Sequence, residues 1–131
     1  MKKILVPILT EEYKILVILG EVEELAKYIS NNVDGWDYNR ALKQVKKTRG
    51  SAFDRLSHGY CPKHPLITLD INLPYEYLFS TLPHEASHCA GYIMEYIGIE
   101  DPTDELRGHI ISAVVRNTLK KLFGKRKLTL K

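Results

Sequence analysis

Apolar and polar positions come in blocks along this chain, and the period changes from block to block. Ile4 to Leu9 and Tyr13 to Leu19 are apolar, β-branched runs separated by Thr10-Glu11-Glu12. They predict two strands joined by a short turn, with Gly20 ending the second. From Glu21 to Ser30 the period lengthens. Val22, Leu25, Ala26 and Ile29 recur at helical spacing, so a short amphipathic helix is expected. Asn31-Asn32-Val33-Asp34-Gly35 carries turn chemistry. Tyr38 to Thr48 predicts a polar helix with Ala41, Leu42 and Val45 inward. Arg49 to Pro65 shows no period and reads as a long loop, a length that is uncommon unless the loop has a function. Leu66 to Ile71 predicts a strand, closed by Asn72-Leu73-Pro74.

A helix follows, with Pro83 as its complication. Proline donates no N–H and its ring clashes with the preceding turn. Either the helix starts near Thr81 with Pro83 in its first turn, or a helix from about Tyr75 is kinked there. Gly98 is a natural stop. Asp101-Pro102-Thr103-Asp104 predicts a new helix, with Asp101 as N-cap and Pro102 at its first position. That helix runs to about Phe123 and ends at Gly124. Its apolar positions, among them Leu106, Ile110, Val114 and Leu122, cover a wide arc, as in a core helix.

Composition narrows the class. A chain of 131 residues, 44% of them apolar, suits one globular domain over residues 1–131. No apolar run approaches the roughly 18 residues that a membrane span needs. Pro7 and Glu11-Glu12 spoil a signal-peptide core, so a cytoplasmic protein is expected. Of the two cysteines, Cys89 lies on an apolar stretch and reads as a buried free thiol. The net charge of +3 is uneven: Lys120, Lys121, Lys125, Arg126, Lys127 and Lys131 form a basic tail. Arg40, Lys43, Lys46, Lys47 and Arg49 form a second run. Without interleaved aromatics, both read as solvated surface rather than as a nucleic-acid footprint.

The candidate chemistry is in residues 82 to 90, Leu-Pro-His-Glu-Ala-Ser-His-Cys-Ala, which contain an H-E-x-x-H string. Residues four apart on a helix share a face, about 6 Å apart along the axis. His84 and His88 can therefore aim two imidazole nitrogens at one zinc ion. Glu85, about 100° round the helix, can reach a water on the open coordination position. Zinc lowers the pKa of that water towards 7, Glu85 takes its proton, and the hydroxide attacks a carbonyl. Protonated Glu85 can then pass the proton to the leaving amine.

A catalytic zinc needs a third protein ligand. Downstream, Gly91 fits the metzincin signature, but Met94 stands where that signature has its last histidine, and a thioether is a poor zinc ligand. Glu95 lies about 10 Å beyond His88 on the same helix, too far for one ion. Glu105 and His109 share a stripe with Ser112 and Arg116 on the next helix, which a short connection would fold back antiparallel. That polar line faces either the site or solvent. Upstream, His58-Gly-Tyr-Cys61-Pro-Lys-His64 offers Cys61, or a second half-site.

The arrangement resembles the gluzincin class of zinc metallopeptidases, in which a Glu on the following helix joins H-E-x-x-H. Sixteen residues separate His88 from Glu105, a compact version of that spacing. Residues 82 to about 119 are also similar to small H-E-x-x-H proteins of tailed bacteriophages. In those, an aromatic often stands where this chain has His109. The resemblance implies His84, His88 and Glu105 as zinc ligands, Glu85 as general base, and His109 as a donor to the developing oxyanion. It also implies an extended substrate paired with an edge strand beside the cleft, for which Leu66 to Ile71 is the candidate. An ordinary core strand is the alternative there.

The expected whole is an α+β, minimal zincin-like domain: a small N-terminal sheet packed on a metal-bearing helix pair. Its expected activity is zinc-dependent hydrolysis of a peptide or amide bond in a protein or peptide substrate. The alternatives are a non-catalytic, zinc-stabilised phage structural or interaction protein, and a nucleic-acid-associated factor using the basic tail.

Overall fold

The computed structural model describes residues 1–8, 13–54, 64–100 and 104–124. Four strands and four helices follow in the order β1 (Lys2–Pro7), β2 (Lys14–Gly20), α1 (Val22–Asn32), α2 (Tyr38–Thr48), β3 (Gly50–Phe53), β4 (Leu66–Asp70), α3 (Tyr75–Ile97) and α4 (Glu105–Phe123). The class is α+β, with one mixed sheet in the order β1-β2-β4-β3. β1 and β2 pair antiparallel with Ile4 opposite Val17, β2 and β4 run parallel, and β3 returns antiparallel to β4.

From Ile15 to Leu19 β2 is apolar because both of its faces are covered. Ile15, Val17 and Leu19 join Ile67, Leu69, Leu82, Ile93 and Ile110 in one core beneath α3 and α4. Leu16 and Ile18 join Leu25, Ile29, Ala41 and Val45 in a second core beneath α1 and α2. The sheet is thus sandwiched between two helix pairs, rather than backed by a single pair.

Local signals set the helix ends. Glu21 and Glu24 form a capping box, in which the Glu21 N–H donates to Glu24 Oε1 at 3.0 Å. The Asp37 carboxylate accepts the Arg40 N–H at 2.8 Å. α3 runs through Pro83 from Tyr75, so the carbonyl of Phe79 has no N–H four residues on. Gly98 and Gly124, at φ 81° and 70°, end α3 and α4 as expected. α4 starts at Glu105 with Asp104 before it in the left-handed region, later than the Asp101–Pro102 start that the sequence predicts; residues 101–103 and the Thr10-Glu11-Glu12 turn lie outside the described residues.

Two expectations about the sheet are corrected. The segment after α2 begins with a strand, β3, where the sequence reads only as loop. Leu66–Asp70 is an interior strand flanked by β2 and β3, not an edge. β3 is the edge strand beside α3. Its start is fixed by Arg49, whose Nε donates to the buried Asp70 Oδ2 at 3.2 Å, while the Asp70 N–H donates to the Arg49 carbonyl.

β3 lies so close to α3 that only glycine fits at position 50. A Cβ there would stand 2.5 Å from Thr81 Cγ2. Gly50→Ala is therefore expected to cost about 1–3 kcal/mol in denaturant unfolding, and Thr81→Ser in the same chain to recover most of it. Parental stability in the single variant would mean that β3 can shift freely.

Candidate metal centre

α3 divides its circumference between the core and a cavity. Leu78, Leu82, Ala86, Cys89, Ala90 and Ile93 form its buried stripe. Thr81, His84, Glu85, His88 and Tyr92 fall within about 100° of arc on another side, and all five line one cavity of about 650 Å³. Across it stand the four residues of β3, with Trp36, Gln44 and Thr48.

The nitrogens of His84 and His88 and a carboxylate oxygen of Glu85 lie within 4.8 Å of one another. Both imidazoles are exposed, and their rings meet edge to face at 4.9 Å. Glu85 is 9% exposed, because its place on the helix borders the apolar stripe. It makes no hydrogen bond or ion pair among the described residues. Burial raises its carboxyl above the usual carboxylate range, and the neighbouring imidazoles oppose the rise.

The donor set suits zinc, which takes imidazole nitrogen and carboxylate oxygen at about 2.0–2.2 Å. Tetrahedral coordination places ligand atoms about 3.4 Å apart. Among the described residues this is the group of histidine, cysteine and acidic side chains able to hold a metal ion.

The other expected site residues are placed differently. Glu105, His109, Ser112 and Arg116 are all exposed, so the polar line along α4 faces solvent. Neither Glu105 nor His109 belongs to the cluster or lines the cavity. What joins α4 to the turn carrying His84 and His88 is Arg107, whose Nη1 donates to the Ser87 carbonyl at 2.8 Å, with its guanidinium lying against Gly91. Gly91 thus serves helix packing. Cys89 is a fully buried free thiol behind the site, and burial pushes its pKa far up, which leaves it inert. His58 and Cys61 lie outside the described residues.

Tyr92 is the site residue that sequence reasoning overlooks. It stands one turn beyond His88 and lines the same cavity. Burial, with negative groups nearby, raises its pKa and keeps the phenol a hydrogen-bond donor. The signal was present: spacings of three and four run from Thr81 through Tyr92.

No family model, curated protein or solved structure matches this chain. No helix among the described residues is long and apolar enough to cross a membrane. On these grounds the centre is a His84–Glu85–His88 group, on one helix, able to bind a metal ion.

Proposed function

We propose that the chain hydrolyses peptide or other amide bonds with a zinc ion held by His84, His88 and a third protein ligand from outside this turn of α3. The observation that carries this reading is the position of Glu85. Its buried carboxylate has no partner among the described residues, lies beside two exposed imidazoles, and lines a cavity large enough for part of a peptide. A carboxylate kept only for structure would be paired or solvated.

Zinc would supply Lewis acidity, polarising the substrate carbonyl and acidifying a water. Glu85, which burial raises above the usual carboxylate range in the metal-free chain, would be the group placed to accept a proton from such a water and to return it to the leaving nitrogen. Tyr92 donates a hydrogen bond to the oxygen that gains charge at the carbonyl, the role first assigned to His109. β3 gives the substrate a path, since an extended chain paired along its outer edge would pass the cavity mouth.

The test is metal content. Purified protein supplied with zinc should hold about one ion per chain by elemental analysis, and the His84→Ala, His88→Ala double variant should hold none. A parent without zinc, or a double variant that keeps it, would end the reading.

A further inference from the structure

The wall of the cavity opposite α3 has chemistry of its own. Trp36 lines it beside Gln44 and Thr48. The Arg40 guanidinium carbon stands 4.1 Å from the centroid of the Trp36 ring, and its Nη1 donates to the Gly35 carbonyl at 2.8 Å. Those two contacts fix the exposed side chain while using one of its five N–H donors. At about 100° per residue, Arg40 and Lys47 stand within about 60° of Gln44 around α2, on its solvent side. Tyr38–Thr48 contains no acidic residue, and the Asp37 carboxylate just before it caps the helix. Arg40 and Lys47 thus put two cations on the outer side of the wall that Trp36 and Gln44 line, one of them held over an aromatic ring, while the Asp54 carboxylate after β3 acts on Tyr92 and Cys89 from the other end.

We infer that Arg40, seated on Trp36, is a specificity-determining residue that selects peptides carrying a carboxylate near the bond presented to His84 and His88. This rests on the peptide-cleaving reading above. A guanidinium is a planar fork that matches a carboxylate with two parallel hydrogen bonds. Stacking on Trp36 holds the fork in place before ligand arrives, so less side-chain entropy is lost on binding. Lys47 adds positive potential on the same side. A nucleic acid fits less well, because stacking bases need an open aromatic face. Trp36 is covered by Arg40 and meets Phe53 edge-on at 5.4 Å between centroids.

The experiment measures binding in a Glu85→Gln background, so that it does not depend on turnover. Fluorescently labelled peptides containing Asp and Glu are compared with Asn and Gln counterparts, each with a free or an amidated C-terminus. At low salt the acidic peptides should bind about tenfold more tightly. Arg40→Gln should remove the difference between acidic and neutral peptides, and Arg40→Lys should restore only part of it. The paired termini show whether a side-chain or a terminal carboxylate is read.

Equal affinity for acidic and neutral peptides, or a preference that survives Arg40→Gln, overturns the inference while leaving the peptide reading standing. Failure to bind any peptide in a zinc-retaining protein removes both. Arg40-dependent binding of a single-stranded oligonucleotide, tighter than that of the acidic peptides, overturns it in favour of nucleic acid.

Discussion

Glu85→Gln is expected to keep zinc and to lose hydrolysis by about 10²- to 10⁴-fold, the usual contribution of a positioned general base. Glutamine matches glutamate in size and can accept a hydrogen bond, but it cannot take a proton. Both imidazoles and the third ligand outside this turn remain in the variant, so metal content should not fall if Glu85 is the base rather than a ligand. The two readouts together discriminate among roles. Loss of zinc with activity would make Glu85 a ligand. Full activity would remove it from the chemistry, and a zinc-replete chain that never cleaves peptides would favour a structural ion. A second consequence follows from burial. In zinc-free protein the folded state holds the Glu85 proton more tightly than the unfolded chain does. This group's contribution to stability is therefore complete below the ordinary carboxylate range and is lost as pH rises through the raised folded value. With chelator present, Glu85→Gln should be the more stable protein at neutral pH, and its advantage should shrink in acid. Denaturant unfolding at several pH values checks the direction.

Much of this fold is legible in the sequence because its signals are local. The α1 and α2 spans follow from apolar spacing, although α1 runs on through Asn31 and Asn32, which read as turn. Gly98 and Gly124 mark helix ends through backbone geometry that other residues adopt only at a cost. The motif is legible for the same reason, since His84, Glu85 and His88 are brought together by one turn of one helix. What escapes is non-local. Gly50-Ser51-Ala52-Phe53 has neither alternation nor β-branched residues, and it becomes a strand only because β4 offers a partner and α3 a surface. The position of β4 within the sheet could not be read either, because a buried interior strand and a covered edge share the same apolar composition. The polar stripe of α4 posed the same difficulty. Glu105, His109, Ser112 and Arg116 share a face, and only tertiary packing shows that the face meets solvent.

Leu82→Ala is expected to destabilise the protein by about 2–5 kcal/mol, through lost apolar transfer and the cavity left behind. Leu82 is fully buried and stands in the core shared by α3 and the sheet, one turn before Ala86. Phe79 is 51% exposed on the same helix, so Phe79→Ala should shift stability by no more than about 0.5 kcal/mol. The sharper question is what Leu82→Ala does to the metal. A ligand that binds only the folded state adds stability according to its own affinity, about 2.7 kcal/mol at a hundredfold excess over Kd. His84 and His88 are held in register by the backbone of one turn, not by the side chain at position 82. The zinc-dependent increment should therefore be the same in Leu82→Ala as in the parent, with both of its unfolding curves displaced downward together. A smaller increment in the variant would show that zinc affinity depends on how α3 is seated on the sheet. The centre would then belong to the whole interface of α3 with the strands rather than to a single turn of helix.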